Sequence, residues 1–233
     1  MNQITTISFF RFGPWRDRAW ALGMMGATRL SLPRVPDIGF WKLCGSGTGE
    51  GFTPIPNTAV YAILATWPSL EIAQNRISDA RIFNRYRRRA EEDWTIYLRP
   101  TSARGEWSGQ TPFQTTKSVG KGPLAALTRA TIKPGIAKRF WRRVPDISAV
   151  IGADPNVLFK IGIGEVPWLH QVTFSIWPGA AEMASFARKD GPHARAIRAV
   201  REEGWFREEL YARFDIAADS GTWGGASPLE QIK

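Results

Sequence analysis

The chain contains two histidines, His170 and His193, the residues best suited to bind a metal or carry a proton near neutral pH. His193 follows Pro192 at the start of an expected helix, where His193, Ala196, Ile197 and Val200 share one stripe. A neutral imidazole presented from a helix to an apolar cavity is what a haem iron needs as proximal ligand. Its second ring nitrogen then needs an acceptor to fix the tautomer. The plainer alternative is a helix-start histidine bonded to a neighbour. His170 alternates with Val172, Phe174 and Ile176 on one strand face, expected to be the face toward the helices. From there it lines the same cavity, as a second candidate ligand or as a polar group over bound oxygen. Otherwise it is a strand-end histidine near solvent.

Other chemistries lack their residues. There is no G-x-x-x-x-G-K phosphate loop, no G-x-G-x-x-G and no H-E-x-x-H. Gly45, Gly47, Gly49 and Gly51 have the wrong spacing for a nucleotide and read as a mobile loop between strands. The single cysteine, Cys44, excludes an internal disulfide and a cysteine-rich zinc site, fits a reducing cytoplasm, and reads as a packing residue. Ser108 and Ser175 have no nucleophile-elbow context.

The scaffold that must position the histidines is written twice. Arg34-Val35-Pro36-Asp37-Ile38 recurs as Arg143-Val144-Pro145-Asp146-Ile147, and Trp67-Pro68 as Trp177-Pro178. Phe40 and Lys42 lead into glycines as Phe159 and Lys160 do, and Glu91-Glu92-Asp93-Trp94 recurs as Glu202-Glu203-Gly204-Trp205. Gly105-Glu106-Trp107-Ser108-Gly109 returns as Gly221-Thr222-Trp223-Gly224-Gly225. A spacing of about 110 residues is too long for a solenoid and suits two fused copies of one small domain. Single-copy features then become informative, and both histidines lie in the second half.

The 233 residues carry a net charge of +10, divided evenly between the halves, with 43% hydrophobic residues, eleven Trp and thirteen Phe. The aromatics suit two cores or a pocket for a long or flat apolar ligand. No stretch approaches the roughly 18 uninterrupted apolar residues of a membrane span, and the start lacks a signal-peptide pattern. Basic runs at Arg85–Arg89 and Lys138–Arg143 read as solvated helix faces, with phosphate or lipid-headgroup contact as the alternative.

Hydrophobic periodicity predicts strands over 4–12, 40–44, 58–66, 94–99, 124–132, 157–163, 171–177 and 208–216. Helices are expected over 15–25, with Trp15, Ala19, Leu22 and Met25 on one face, and over 70–90, 136–150, 180–188 and 192–203. Strand, helix, strand, strand, helix, strand is the ferredoxin-like unit. The expected fold is therefore α+β, a tandem duplication of a βαββαβ unit. Residues 1–116 and 117–233 form the halves, with antiparallel sheets packed together as in a dimeric α+β barrel.

Five blocks carry a family likeness. They are Phe40 to Pro54, Arg104 to Phe113, Phe159-Lys160-Ile161-Gly162-Ile163-Gly164-Glu165, Gly191-Pro192-His193-Ala194-Arg195-Ala196-Ile197-Arg198 and Glu203 to Phe214. In these the chain resembles the spheroidene monooxygenase family of carotenoid biosynthesis. The resemblance implies a haem b enzyme that uses oxygen to oxidise an acyclic carotenoid beside its methoxy end. Successive hydroxylations at one carbon give a ketone, with electrons from a reduced ferredoxin-type donor. It carries the iron-ligand role to His193, with His170 as runner-up. Arg195, Arg198 and Lys160 become candidates for the haem propionates, while Lys42, its repeat partner Lys160 and the glycine loop are alternatives for an entrance. A basic, Trp-rich surface suits collection of carotenoid at the inner face of a membrane from the cytoplasm, and an acidic donor. Two other readings stand beside it. One is another haem enzyme, driving peroxide oxidation or dehydration of a smaller substrate. The other is a basic nucleic-acid-binding protein using Arg87–Arg89 and Lys138–Arg143, which the even charge and the missing motifs disfavour. The sequence leaves the oligomeric state open.

Overall fold

A strand left at a sheet edge exposes unpaired N–H and C=O groups, and among the described residues every strand of the barrel is paired on both sides. The computed structural model describes residues 2–118, 120, 122–142, 156–188 and 203–230. Eight strands form one closed antiparallel barrel: β1 (Ile4–Arg11), β2 (Trp41–Gly47), β3 (Pro56–Trp67), β4 (Glu92–Gly105), β5 (Leu124–Ile132), β6 (Phe159–Gly164), β7 (His170–Trp177) and β8 (Phe206–Gly221). Helices α1 (Trp15–Ser31), α2 (Leu70–Asp79), α3 (Arg81–Arg87) and α4 (Ala180–Arg188) are joined by a helical segment at 137–142.

Around the barrel the order is β1-β3-β2-β6-β7-β5-β8-β4, and β4 pairs back onto β1. Each half contributes four strands in the same relative order, β4-β1-β3-β2 and β8-β5-β7-β6. The sheets expected to pack together are instead one continuous sheet, joined edge to edge by β4–β8 and β2–β6. This joint explains why β4 and β8 outrun their predicted lengths: Trp94 to Gly105 pairs with Gly221 to Leu210 across two register shifts.

The β2–β6 joint accounts for the glycines. Gly45 and Gly47 are strand residues rather than loop, and Gly45 pairs with Gly164. Gly162 N–H donates to the Glu50 carbonyl at 2.7 Å. Gly51 has φ +89°, and a Cβ there would overlap the Gly162 carbonyl. Backbone approaches backbone here, and only glycine fits.

Alternation along the strands sends one set of side chains into the barrel. Ile7, Phe9, Leu64, Trp94, Leu127, Ile161, Phe174 and Phe214 fill it, with Phe9 stacked on Trp94 at 5.6 Å between ring centres. The opposite face of the first half packs Phe10, Phe12, Tyr61, Trp67, Phe83 and Tyr86 beneath α1, α2 and α3. The aromatic excess thus builds two packed cores, not an open slot through the barrel.

α1 departs most from expectation. It runs past Gly23 and Gly26 to Ser31 and buries Ala21, Met24 and Thr28. The predicted stripe of Trp15, Ala19 and Leu22 faces solvent, and Met25 is half-buried.

Two glycine substitutions test this packing. Gly51→Ala should destabilise by at least about 2 kcal/mol, from positive φ and backbone overlap together. Gly23→Ala, helical with open space around it, should stabilise by about 0.5–1 kcal/mol. Urea unfolding reads both, and equal effects would refute the backbone joint.

Candidate active site at the barrel end

Strand register gathers charged side chains at one end of the barrel. Lys42 lies opposite inward-facing Leu64, and Arg129 opposite inward-facing Val172 and Leu210. His170 begins β7 on the same face as Val172 and Phe174. That face is the barrel interior, not the helix side the sequence suggested. Glu165 follows β6, Trp107 follows β4, and Glu208 lies near the start of β8.

Glu165 is the hub. Its carboxylate accepts from Trp107 Nε1 at 2.7 Å, pairs with Lys42 Nζ at 3.1 Å, and lies 4.0 Å from Arg129 Nη2. His170 Nδ1, itself buried, stands 3.6 Å from the same carboxylate. Lys42 also donates to Ser108 Oγ at 2.6 Å. Arg129 is 1% exposed, pairs with Glu208 and lies over the Trp107 ring, 5.7 Å from its centre. Glu208 in turn accepts from the Ser108 and Gly109 amides at 3.0 and 2.7 Å. Burial alone would raise the Glu165 pKa, but His170, Trp107 and Lys42 hold it down at about 2. The site therefore keeps a fixed anion between a buried arginine, a half-buried lysine and a histidine. Cys44 is buried in the barrel and burial pushes its thiol up, as befits a packing residue.

Among the described residues, the opposite end repeats the frame without a histidine. Arg11 pairs with Glu92 at 2.9 Å and lies over Trp223 at 4.3 Å, while Glu92 accepts from the Gly225 amide at 2.7 Å. Trp107 N–H to Gln110 and Trp223 N–H to Ala226 close matching turns at 2.8 and 2.9 Å. The Arg11 side chain is 37% exposed, against 2% for Arg129.

An apolar cleft of about 260 Å³ runs along the first end, lined by Leu22 and Met25 of α1, Trp141, Trp168, His170 and Gln171. A more polar cavity of about 400 Å³, lined by Arg29, Lys42 and Gln110, also reaches Glu165.

The helix-facing side of the sheet differs between halves at paired positions. Phe10 opposite Tyr61 corresponds to Ala130 opposite Gln171, and Ser8 opposite Ile63 to Thr128 opposite Thr173. The first set is fully buried, whereas Thr128, Gln171 and Thr173 are only partly covered. The second half thus sets Ala130, Gln171 and Thr173 where the first half has Phe10, Tyr61 and Ile63, so this face carries less side-chain bulk, and Gln171 also lines the cleft.

His193, Arg195 and Arg198 lie outside the described residues. Lys160 lies between Phe159 and Ile161, which face the interior, so it points the other way and is not the structural partner of Lys42. It pairs with Glu50 and lies over the Phe52 ring. Arg87 and Arg89 are engaged by Asp93 and Asp17. Glu165, Arg129 and Trp107 were not anticipated as a site. The available signal was Arg129 itself, a charge at an inward strand position alternating with Ala125 and Leu127. Among the described residues no group of three or more His, Cys, Asp or Glu could hold a metal ion.

The depressed Glu165 pKa fixes a pH dependence. Its folded value lies below the ordinary 4.5, so its contribution is complete above about pH 5 and vanishes as pH falls toward about 2. Wild type should lose up to about 3 kcal/mol across that window that Glu165→Gln does not lose, and the variant should be less stable at neutral pH. Urea unfolding at stepped pH reads this, and parallel profiles would contradict it.

No protein-family model matches the sequence. The spheroidene monooxygenase of Cereibacter sphaeroides is 51% identical over 229 residues, covering 97% of this chain and 71% of that protein. That of Rhodobacter capsulatus is 49% identical over 229 residues, covering 97% and 95%. The Rubrivivax gelatinosus protein is 34% identical over 208 residues, covering 89% and 80%. Among solved structures, an aldoxime dehydratase in complex with butyraldoxime superposes with TM-score 0.63 at 9% identity, covering 93% of this chain and 80% of that one. A second aldoxime dehydratase gives 0.60 at 8% identity, covering 92% and 82%, and both likenesses concern the fold alone. With half of its residues shared along nearly its whole length, the chain belongs to the spheroidene monooxygenase family.

Proposed function

We propose that this chain is a haem-dependent monooxygenase that oxidises an acyclic, spheroidene-like carotenoid to a keto product, with electrons from a reduced ferredoxin-type donor. The observation that carries the reading is the identity of about half the residues with two spheroidene monooxygenases across 97% of the chain. The repeated strand order and matching tryptophan turns support an origin by tandem duplication of a ferredoxin-like unit, its halves meeting near residues 116 and 117.

The residues fit a large flat group in one half only. Ala130 and Thr173 are smaller than Phe10 and Ile63, their counterparts in the first half. His170 points into the barrel beside Glu165, which favours His193 as the iron ligand and gives His170 a polar role at the cleft. Arg195 and Arg198 remain the propionate candidates, while Lys160 is already engaged by Glu50. Haem, when bound, supplies the iron at which oxygen is activated. The protein's own work is positional. The apolar wall of the cleft takes the end of a polyene and excludes water, and Gln171 brings a polar group to that wall. Glu165 stays ionised and holds Lys42, Trp107 and Arg129 in place.

Reconstitution with haem tests the reading. Wild type should gain a Soret band, and His193→Ala should lose it while keeping its far-ultraviolet dichroism. Ala130→Phe, which restores the first-half side chain, should take up at least about tenfold less haem. An unchanged Soret band in His193→Ala would reject the ligand assignment, and wild type that never takes up haem would reject the cofactor.

A further inference from the structure

α1 is turned inside out for a helix on a barrel. Its buried side is Ala21, Met24 and Thr28, whereas Trp15, Leu22 and Leu30 stand 73%, 59% and 71% exposed. At spacings i, i+7 and i+15 these three share the face opposite the core. Around them the exposed side carries Arg16, Arg18 and Arg29. The helix holds one acid, Asp17, and Arg89 pairs with it at 2.9 Å. Apolar side chains flanked by uncompensated arginines are the composition of a helix lying at an anionic lipid surface.

The same face borders the apolar cleft. Leu22 lines it, and Val166 and Trp168 of the turn before β7 line it too while remaining exposed. Trp168 sits at φ +71°, a left-handed conformation unfavourable for a bulky side chain. The Trp141 indole donates to the Trp168 carbonyl at 3.0 Å, which holds the turn in that shape. The turn thus spends backbone strain to keep an indole in water at the lip of a cleft, a place suited to the headgroup layer. Among the described residues no helix is long and apolar enough to cross a bilayer, so contact of this kind is lateral.

We propose that the outer face of α1, with the Val166–Trp168 turn, seats the protein on an anionic lipid surface so that the cleft opens directly onto the bilayer. The charge decides between occupants. A second copy would bring its own Arg16, Arg18 and Arg29 against these, whereas anionic headgroups neutralise them. The proposal concerns where the substrate is met and stands apart from the haem chemistry. Vesicle binding can be read with or without haem.

Flotation with phosphatidylglycerol–phosphatidylcholine vesicles, against phosphatidylcholine alone, tests it. Wild type should float with the anionic vesicles only, and added salt should weaken the association. Trp15→Glu with Leu30→Glu, both exposed and away from the cleft wall, should lower binding at least about tenfold with little change in Tm. Arg16→Glu should weaken it by a smaller factor. Wild type that stays in solution with anionic vesicles at low salt would overturn the proposal, as would undiminished binding by the double variant. A wild-type dimer that the double substitution turns into a monomer would overturn it too, reassigning the face to a second copy. A protein that floats yet takes up no haem keeps this inference and loses the preceding one.

Discussion

Closure of a single antiparallel sheet is the constraint on which the rest of this molecule depends. Four strands in the order β4-β1-β3-β2 leave two edges of unpaired backbone groups, and so do β8-β5-β7-β6. Pairing β4 with β8 and β2 with β6 removes all four edges at once. Glycine is needed where Gly51 meets Gly162, because the joint is made by backbone. The tryptophan turns that follow β4 and β8 then fold over the barrel ends, bringing Trp107 to Glu165 and Trp223 to Arg11. A buried cation such as Arg129 persists there because two carboxylates and an aromatic face surround it.

Function enters through departures from symmetry. Both ends have an arginine, a glutamate that caps a turn and a tryptophan, but among the described residues only one adds a histidine and buries its arginine. Both halves present a sheet face to helices, but only the first fills it with Phe10, Tyr61 and Ile63. The smaller residues of the second half cost packing area that an apolar core would otherwise gain. In the proposed reading a bound group on that face offsets the loss in the second half alone.

Much of the architecture was legible from periodicity, because strands buried on both faces read as apolar runs bounded by turns. β5 and α4 match their expected bounds of 124–132 and 180–188, and β1 nearly does. What escaped depended on partners distant in sequence. That Gly45 is a strand residue follows from its pairing with Gly164, and Lys42 acquires its role from Glu165. Periodicity found an apolar face on α1 but could not say whether it meets core or solvent. The repeat aligned Lys42 with Lys160, yet an offset of one residue between β2 and β6 reverses the face. His170 was placed on the wrong side of its sheet because alternation gives two faces without naming the inner one. The ionic hub was hidden for the same reason, its members being spread over six strands and their following turns.

The central claim is that the asymmetry between the halves places a single cofactor over the second half's sheet. Anomalous diffraction at the iron edge, from crystals of the haem-loaded protein, locates the metal without reference to activity. One iron per chain on the helix-facing side of β5 and β7, near Ala130 and Thr173, is the result this account requires. Iron inside the barrel beside His170 and Glu165, or against the first half beneath α1 to α3, would contradict it.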